Sequence, residues 1–203
     1  MRFKQRIKQH LNENRLQYLL IIIIFVAGLI LGNFKVMGLE GGVKAHLSNL
    51  IDDYLQGGLD GSLDGQSIFM NAFINQAKSV LGIWFLGLTV IGLPLILVVI
   101  LLRGFSLGFT VGFLCQEKTG ASMIFSILSI LPQNIVYIPF LLIWAVIAVN
   151  FSIYVVNGKK SNMLPLGAGI LKYSLLMLIF LAIFMLGAFI EAYLSPWIIS
   201  LAR

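Results

Sequence analysis

Charged side chains are what this sequence has least of. They make up 11% of its residues, against 59% hydrophobic, where an ordinary soluble domain carries roughly 25% charged residues. The charges are also clustered. Leu16 to Phe34, Ser79 to Leu102, Thr119 to Gly158 and Tyr173 to Ile190 contain no Asp, Glu, Lys or Arg. No polar stretch is long enough to form a separate soluble domain. A single cysteine, Cys115, excludes an internal disulfide and reads as a small packing residue in its apolar segment. The two histidines, His10 and His46, stand on opposite sides of the first apolar run. There is no His-Glu-x-x-His, no phosphate-binding glycine loop, no Gly-x-Ser-x-Gly elbow and no calcium-loop spacing at Asp60 and Asp64. The expectation is therefore no catalytic residues, no cofactor, no metal and no enzyme. The net charge of +6 lacks a compact basic domain with interleaved aromatics, so nucleic acid is not an expected partner.

What is there is length without charge. About 18 residues of helix, at ~1.5 Å each, cover the ~30 Å hydrocarbon core of a bilayer. The apolar runs lack the alternation of barrel strands, which leaves helices as the structure that satisfies the backbone there. The expected fold class is all-α, a polytopic helical membrane protein. Its parts are a basic arm over 1–15, a first transmembrane helix over 16–34, a helical loop over 35–78 and a transmembrane bundle over 79–203.

Charge asymmetry sets the threading. Arg2, Lys4, Arg6, Lys8 and Arg15 precede the first span with one acid, Glu13, which places the N-terminus in the cytoplasm. The net acidic segment Lys35 to Lys78 then falls outside. Within it Val43, Leu47, Leu50 and Ile51 keep helical spacing, as do Ile68, Phe69, Ala72 and Phe73, which predicts an extracytoplasmic helical hairpin. Arg103 reads as the inner end of a second span, and Lys159, Lys160 and Lys172 as the inner flank of the last. Two crossings between them give five spans with the C-terminus outside. The alternative has four, with Gly104 to Leu131 re-entrant.

Three segments carry information beyond topology. Gly104, Gly108 and Gly112 recur every four residues beside a ridge of Phe105, Phe109 and Phe113. Such a small-residue stripe lets another helix backbone approach closely, within the protomer, between protomers of a homo-oligomer or with a partner. Pro132, Gln133 and Asn134 interrupt the longest apolar run. They read either as a broken helix lining a substrate site or as a polar turn joining two helices. Glu191, followed by Ser195 and Pro196, either closes the last helix or anchors a partner. Arg103 is expected on the opposite membrane face.

The blocks Leu86-Gly-Leu-Thr-Val-Ile-Gly-Leu-Pro94, Gly108-Phe-Thr-Val-Gly-Phe-Leu114, Ile130-Leu-Pro-Gln-Asn134 and Ile190-Glu-Ala-Tyr-Leu-Ser-Pro196, in this order, resemble the stage II sporulation protein M family over nearly the whole chain. The resemblance implies a non-enzymatic scaffold in the mother-cell membrane of a sporulating bacterium. There it would act in forespore engulfment with stage II sporulation proteins D and P, which remodel septal peptidoglycan. The wider family, beyond sporulating species, commonly has His-Gly after the proline and an acid a few residues on. Gln133, Asn134 and Val136 stand there in this chain, which suits the sporulation branch. The competing expectation is a small transporter or channel component built around Pro132 to Asn134 and Glu191.

Overall fold

A computed structural model describes residues 12–60, 64–117, 120–157, 166–194 and 197. Among them are six long helices and no strand: α1 (Arg15–Met37), α2 (Gly41–Asp60), α3 (Gly65–Gly87), α4 (Gly92–Glu117), α5 (Gly120–Asn157) and α6 (Leu166–Phe189). The last continues into a π-helical turn, Ile190–Leu194. Among the described residues four segments, Arg15–Met37, Gly92–Glu117, Ile130–Val156 and Gly167–Leu194, are long and apolar enough to cross a membrane. The chain is a helical membrane protein. The basic residues before position 12, Lys159, Lys160, Ser195 and Pro196 lie outside the described residues.

The most extensive contact pairs α1 with α4. Gly28 of α1 lies against Leu101 and Gly104, Gly32 against Phe105 and Phe109, and Asn33 against Gly112, so the two helices run in the same direction. Contact is backbone to backbone. A Cβ on Gly104 would strike the Phe25 carbonyl oxygen, and one on Gly32 would lie 2.7 Å from the Phe109 amide nitrogen. The glycine stripe of α4 is thus filled by α1 of the same chain. It leaves no open groove there for a partner, and Gly28 and Gly32 supply the matching stripe. Phe105, Phe109 and Phe113 stack along α4 with centroids 6.3 and 6.4 Å apart.

The remaining bundle helices alternate around this pair. α3 returns against α4 through a turn at residues 88–91. α5 runs alongside α3: Trp144 Nε1 donates to the Val80 carbonyl (3.1 Å) and Ser152 Oγ to that of Thr89 (2.8 Å). α6 runs back, its Tyr173 hydroxyl directed at the Ile83 and Trp84 carbonyls (3.4 and 3.3 Å). Between α5 and α6 the rings form a ladder: Phe151 on Tyr173 (4.2 Å), Tyr173 on Trp144 (5.1 Å), Trp144 on Phe180 (4.9 Å) and Tyr137 on Phe184 (5.5 Å). Trp144 and Phe184 are fully buried. Offset rings fill this volume without needing a polar partner on every edge. α2 has no extended packing partner among the described residues; a Lys44–Glu117 ion pair (3.9 Å) ties its start to the end of α4. The exposed Asp64 caps α3, accepting from the Gln66 and Ser67 amides (3.1 and 3.2 Å). Its pKa is lowered, first by the Ser67 hydroxyl and then by the Gln66 amide.

Three sequence expectations need correction. Ser79 to Leu102 is not one span but parts of α3 and α4. The chain turns because Gly92 donates to the Thr89 carbonyl (3.1 Å) and sits where a Cβ would collide with the Leu86 carbonyl oxygen. Pro94 follows in the first turn of α4, where an amide would have no intrahelical acceptor. The second correction follows: Arg103 does not mark a membrane face but lies mid-way along α4, and α3 overruns the expected loop boundary at residue 78. Third, there is no break or turn at Pro132, Gln133 and Asn134. α5 passes through both Pro132 and Pro139. Prolines are tolerated in membrane helices where neighbouring groups take over the freed backbone.

The glycine contact generates a paired test. Gly32→Ala should destabilise the protein by about 1–3 kcal/mol, because overpacking between backbones cannot be relieved by a rotamer change. Gly82→Ala, where an added Cβ meets nothing within 4 Å, should be neutral or stabilising by up to about 1 kcal/mol. Denaturant titration of both variants in detergent checks the difference.

Candidate functional site

Between Lys78 and Glu117 the one charged residue is Arg103. A guanidinium placed among apolar helices must find acceptors, because leaving it unmatched costs several kcal/mol. α3 supplies them. Arg103 Nη2 donates to Gln76 Oε1 (2.8 Å) and to Ser79 Oγ (2.5 Å), while Ser79 Oγ donates onward to the Asn75 carbonyl (3.2 Å). Gln76 and Ser79 are three residues apart, so they sit on one face of α3. That face meets α4 because the hairpin turn lies a comparable distance from each partner.

The opposite charge comes from the end of α6. Glu191 lies in the π-helical turn Ile190–Leu194, a geometry that recurs at functional positions because it re-aims side chains out of helical register. Tyr137 of α5 donates from its hydroxyl to Glu191 Oε2 (3.0 Å). Gly187, one turn earlier, makes room for the Tyr137 ring, since any Cβ there would strike its Cε1. Arg103 and Glu191 form no direct ion pair; Tyr137, which holds Glu191, shares a cavity wall with Arg103. The result is a polar cluster contributed by α3, α4, α5 and the end of α6. A cavity of about 150 Å³ opens beside it, with Gln76, Arg103, Ser106, Thr110, Asn134 and Tyr137 on its polar wall.

The residues singled out from sequence are distributed unevenly around this site. Glu191 belongs to the network, and Asn134 lines the cavity while its amide nitrogen donates to the Ile130 carbonyl of its own helix (2.8 Å). Gln133 is buried but does not line the cavity; Pro132 is carried within α5. Gly104, Gly108, Gly112, Phe105 and Phe109 belong to the α1 contact instead. Arg103 and Glu191, expected on opposite faces, share one cluster. Gln76, Ser79 and Tyr137 were missed as site residues. One signal for the first two existed: an isolated arginine in an otherwise uncharged stretch requires polar partners one helix away. Tyr137 gave none.

A family model described as stage II sporulation protein M matches residues 21–196. The chain belongs to the stage II sporulation protein M family. No curated protein and no solved structure matches it. Membership makes it a membrane protein of sporulation. The stretch matched to stage II sporulation protein M takes in the α1–α4 contact, Arg103 and Glu191 alike.

If the two charges sense each other, Arg103→Leu and Glu191→Leu should be non-additive. A double-mutant cycle on unfolding in detergent should give a coupling of at least about 0.5 kcal/mol. Strict additivity would show that the cluster is two independent hydrogen-bonded pairs.

Proposed function

We propose that the protein is a non-enzymatic integral membrane scaffold in endospore formation, needed for forespore engulfment. It holds septal peptidoglycan hydrolases, stage II sporulation proteins D and P, at the mother-cell membrane. Its N-terminus is cytoplasmic and the segment that includes α2 extracytoplasmic. Family membership supports the setting. The observation that carries the scaffold reading is α2, which has no extended packing partner among the described residues and leaves Val43 and Leu50 exposed. An amphipathic helix without an extended internal partner is a surface for another protein or the lipid face. The glycine stripe is occupied by α1, so partner contact passes to α2. Val43→Asp, Leu47→Asp and Leu50→Asp together should leave membrane insertion intact, abolish co-purification of the D and P proteins and arrest engulfment. Normal co-purification would remove α2 from the scaffold.

One observation favours a second reading, a small transporter or channel component: the polar cavity of about 150 Å³ beside Arg103. On that reading Glu191→Gln abolishes solute flux in proteoliposomes while co-purification of partners is unchanged. On the scaffold reading the same variant shows no flux defect.

A further inference from the structure

The polar cavity does not stand alone. A second cavity of about 460 Å³ lies between α4 and α5. Leu107, Ile130, Asn134 and Ile138 line both, so the two adjoin across one layer of side chains. The second is walled by apolar groups, and Leu131 and Ile135 on its rim are 47% and 62% exposed. That exposure opens it toward the lipid side of the bundle. An apolar groove thus leads from the acyl-chain region to an arginine.

That arginine has donors to spare. Gln76 and Ser79 engage Nη2. Among the described residues Nε and Nη1 have no acceptor, and neither is a buried unpaired atom. Both fork edges of the guanidinium include Nη2, so Nε–H and Nη1–H are left to donate singly, each able to make a charge-assisted hydrogen bond to an anionic oxygen. Glu191 accepts from neither of them; its Oε2 holds the Tyr137 hydroxyl instead.

We infer that Arg103 and the α4–α5 groove form a binding site for a single-chain amphiphile with a carboxylate head, a long-chain fatty acid. The tail lies in the 460 Å³ groove and the head in the 150 Å³ cavity. Depth selects this class. Arg103 is roughly 17 Å from the start of α4 and roughly 21 Å from its end along the axis. A phospholipid head, with its glycerol and second tail, belongs at the membrane surface, whereas a single carboxylate is compact enough to follow its chain inward. The site is independent of the scaffold reading and requires no partner protein.

The test uses the full-length protein in phosphatidylcholine nanodiscs with tritiated palmitate. Saturable binding of one palmitate per chain above empty nanodiscs is expected. Arg103→Gln should weaken it roughly tenfold or more, the worth of a charged hydrogen bond. Ile135→Trp, which fills the groove from its exposed rim, should weaken it too, while Ile22→Trp on the exposed side of α1 should not. Neither 1-hexadecanol nor hexadecyl phosphate should compete as well as unlabelled palmitate. Binding no greater than that of empty nanodiscs, unchanged affinity in Arg103→Gln, or equal competition by either analogue would overturn the site. Should Arg103→Gln not fold, unchanged binding by Ile135→Trp overturns it alone.

Discussion

Everything else in this bundle is arranged around two helix backbones that touch. Lipid tails are as apolar as the side chains they would replace, so burial gives little drive for helices to associate. Close van der Waals contact and internal hydrogen bonds must do so instead. Gly28 and Gly32 on α1 and Gly104 and Gly108 on α4 allow carbonyl oxygens of one helix to rest where side chains of the other would stand. With that pair fixed, one face of α4 remains for α3 and α5, and Arg103 is on it. The position of the polar cluster is therefore a consequence of the glycine contact.

The cluster in turn specifies how the other helices meet. An apolar interface tolerates sliding by a turn; an arginine bonded to Gln76 and Ser79 does not. Tyr137 and Glu191 set the height of α6 against α5 in the same way, with Trp144 and Tyr173 reaching α3 carbonyls further along. Directional polar contacts fix register here, and the aromatic ladder fills the volume between them.

Helical class was legible because long uncharged runs have few other interpretations in a chain of this composition. The first span was also legible, from Arg15 and Lys35 at its ends; α1 runs Arg15–Met37. The α3–α4 turn was not, since Leu88, Thr89, Val90 and Ile91 are as apolar as a span, and the turn depends on a glycine meeting a carbonyl. Arg103 misled for a related reason. A charge beside an apolar run normally marks the membrane face, and only the fold of α3 shows that its partners lie within the bundle. Small-residue spacing pointed correctly to a helix contact at Gly104, Gly108 and Gly112, and the same spacing at Gly28 and Gly32 could have named the partner helix. Glu191 was found but not its company, because its neighbours come from helices far away in sequence.

The parallel pairing of α1 with α4 also sets an order of events in time. Some seventy-six residues separate Gly28 from Gly104, and at ~5–20 residues per second their synthesis takes several seconds. Through that interval the first span has been made but its mate has not. Its glycine face must rest against lipid or a temporary companion, and it is covered once α4 has followed the α3 hairpin into place. The first of the six long described helices thus waits for the fourth before its glycine face reaches its final environment.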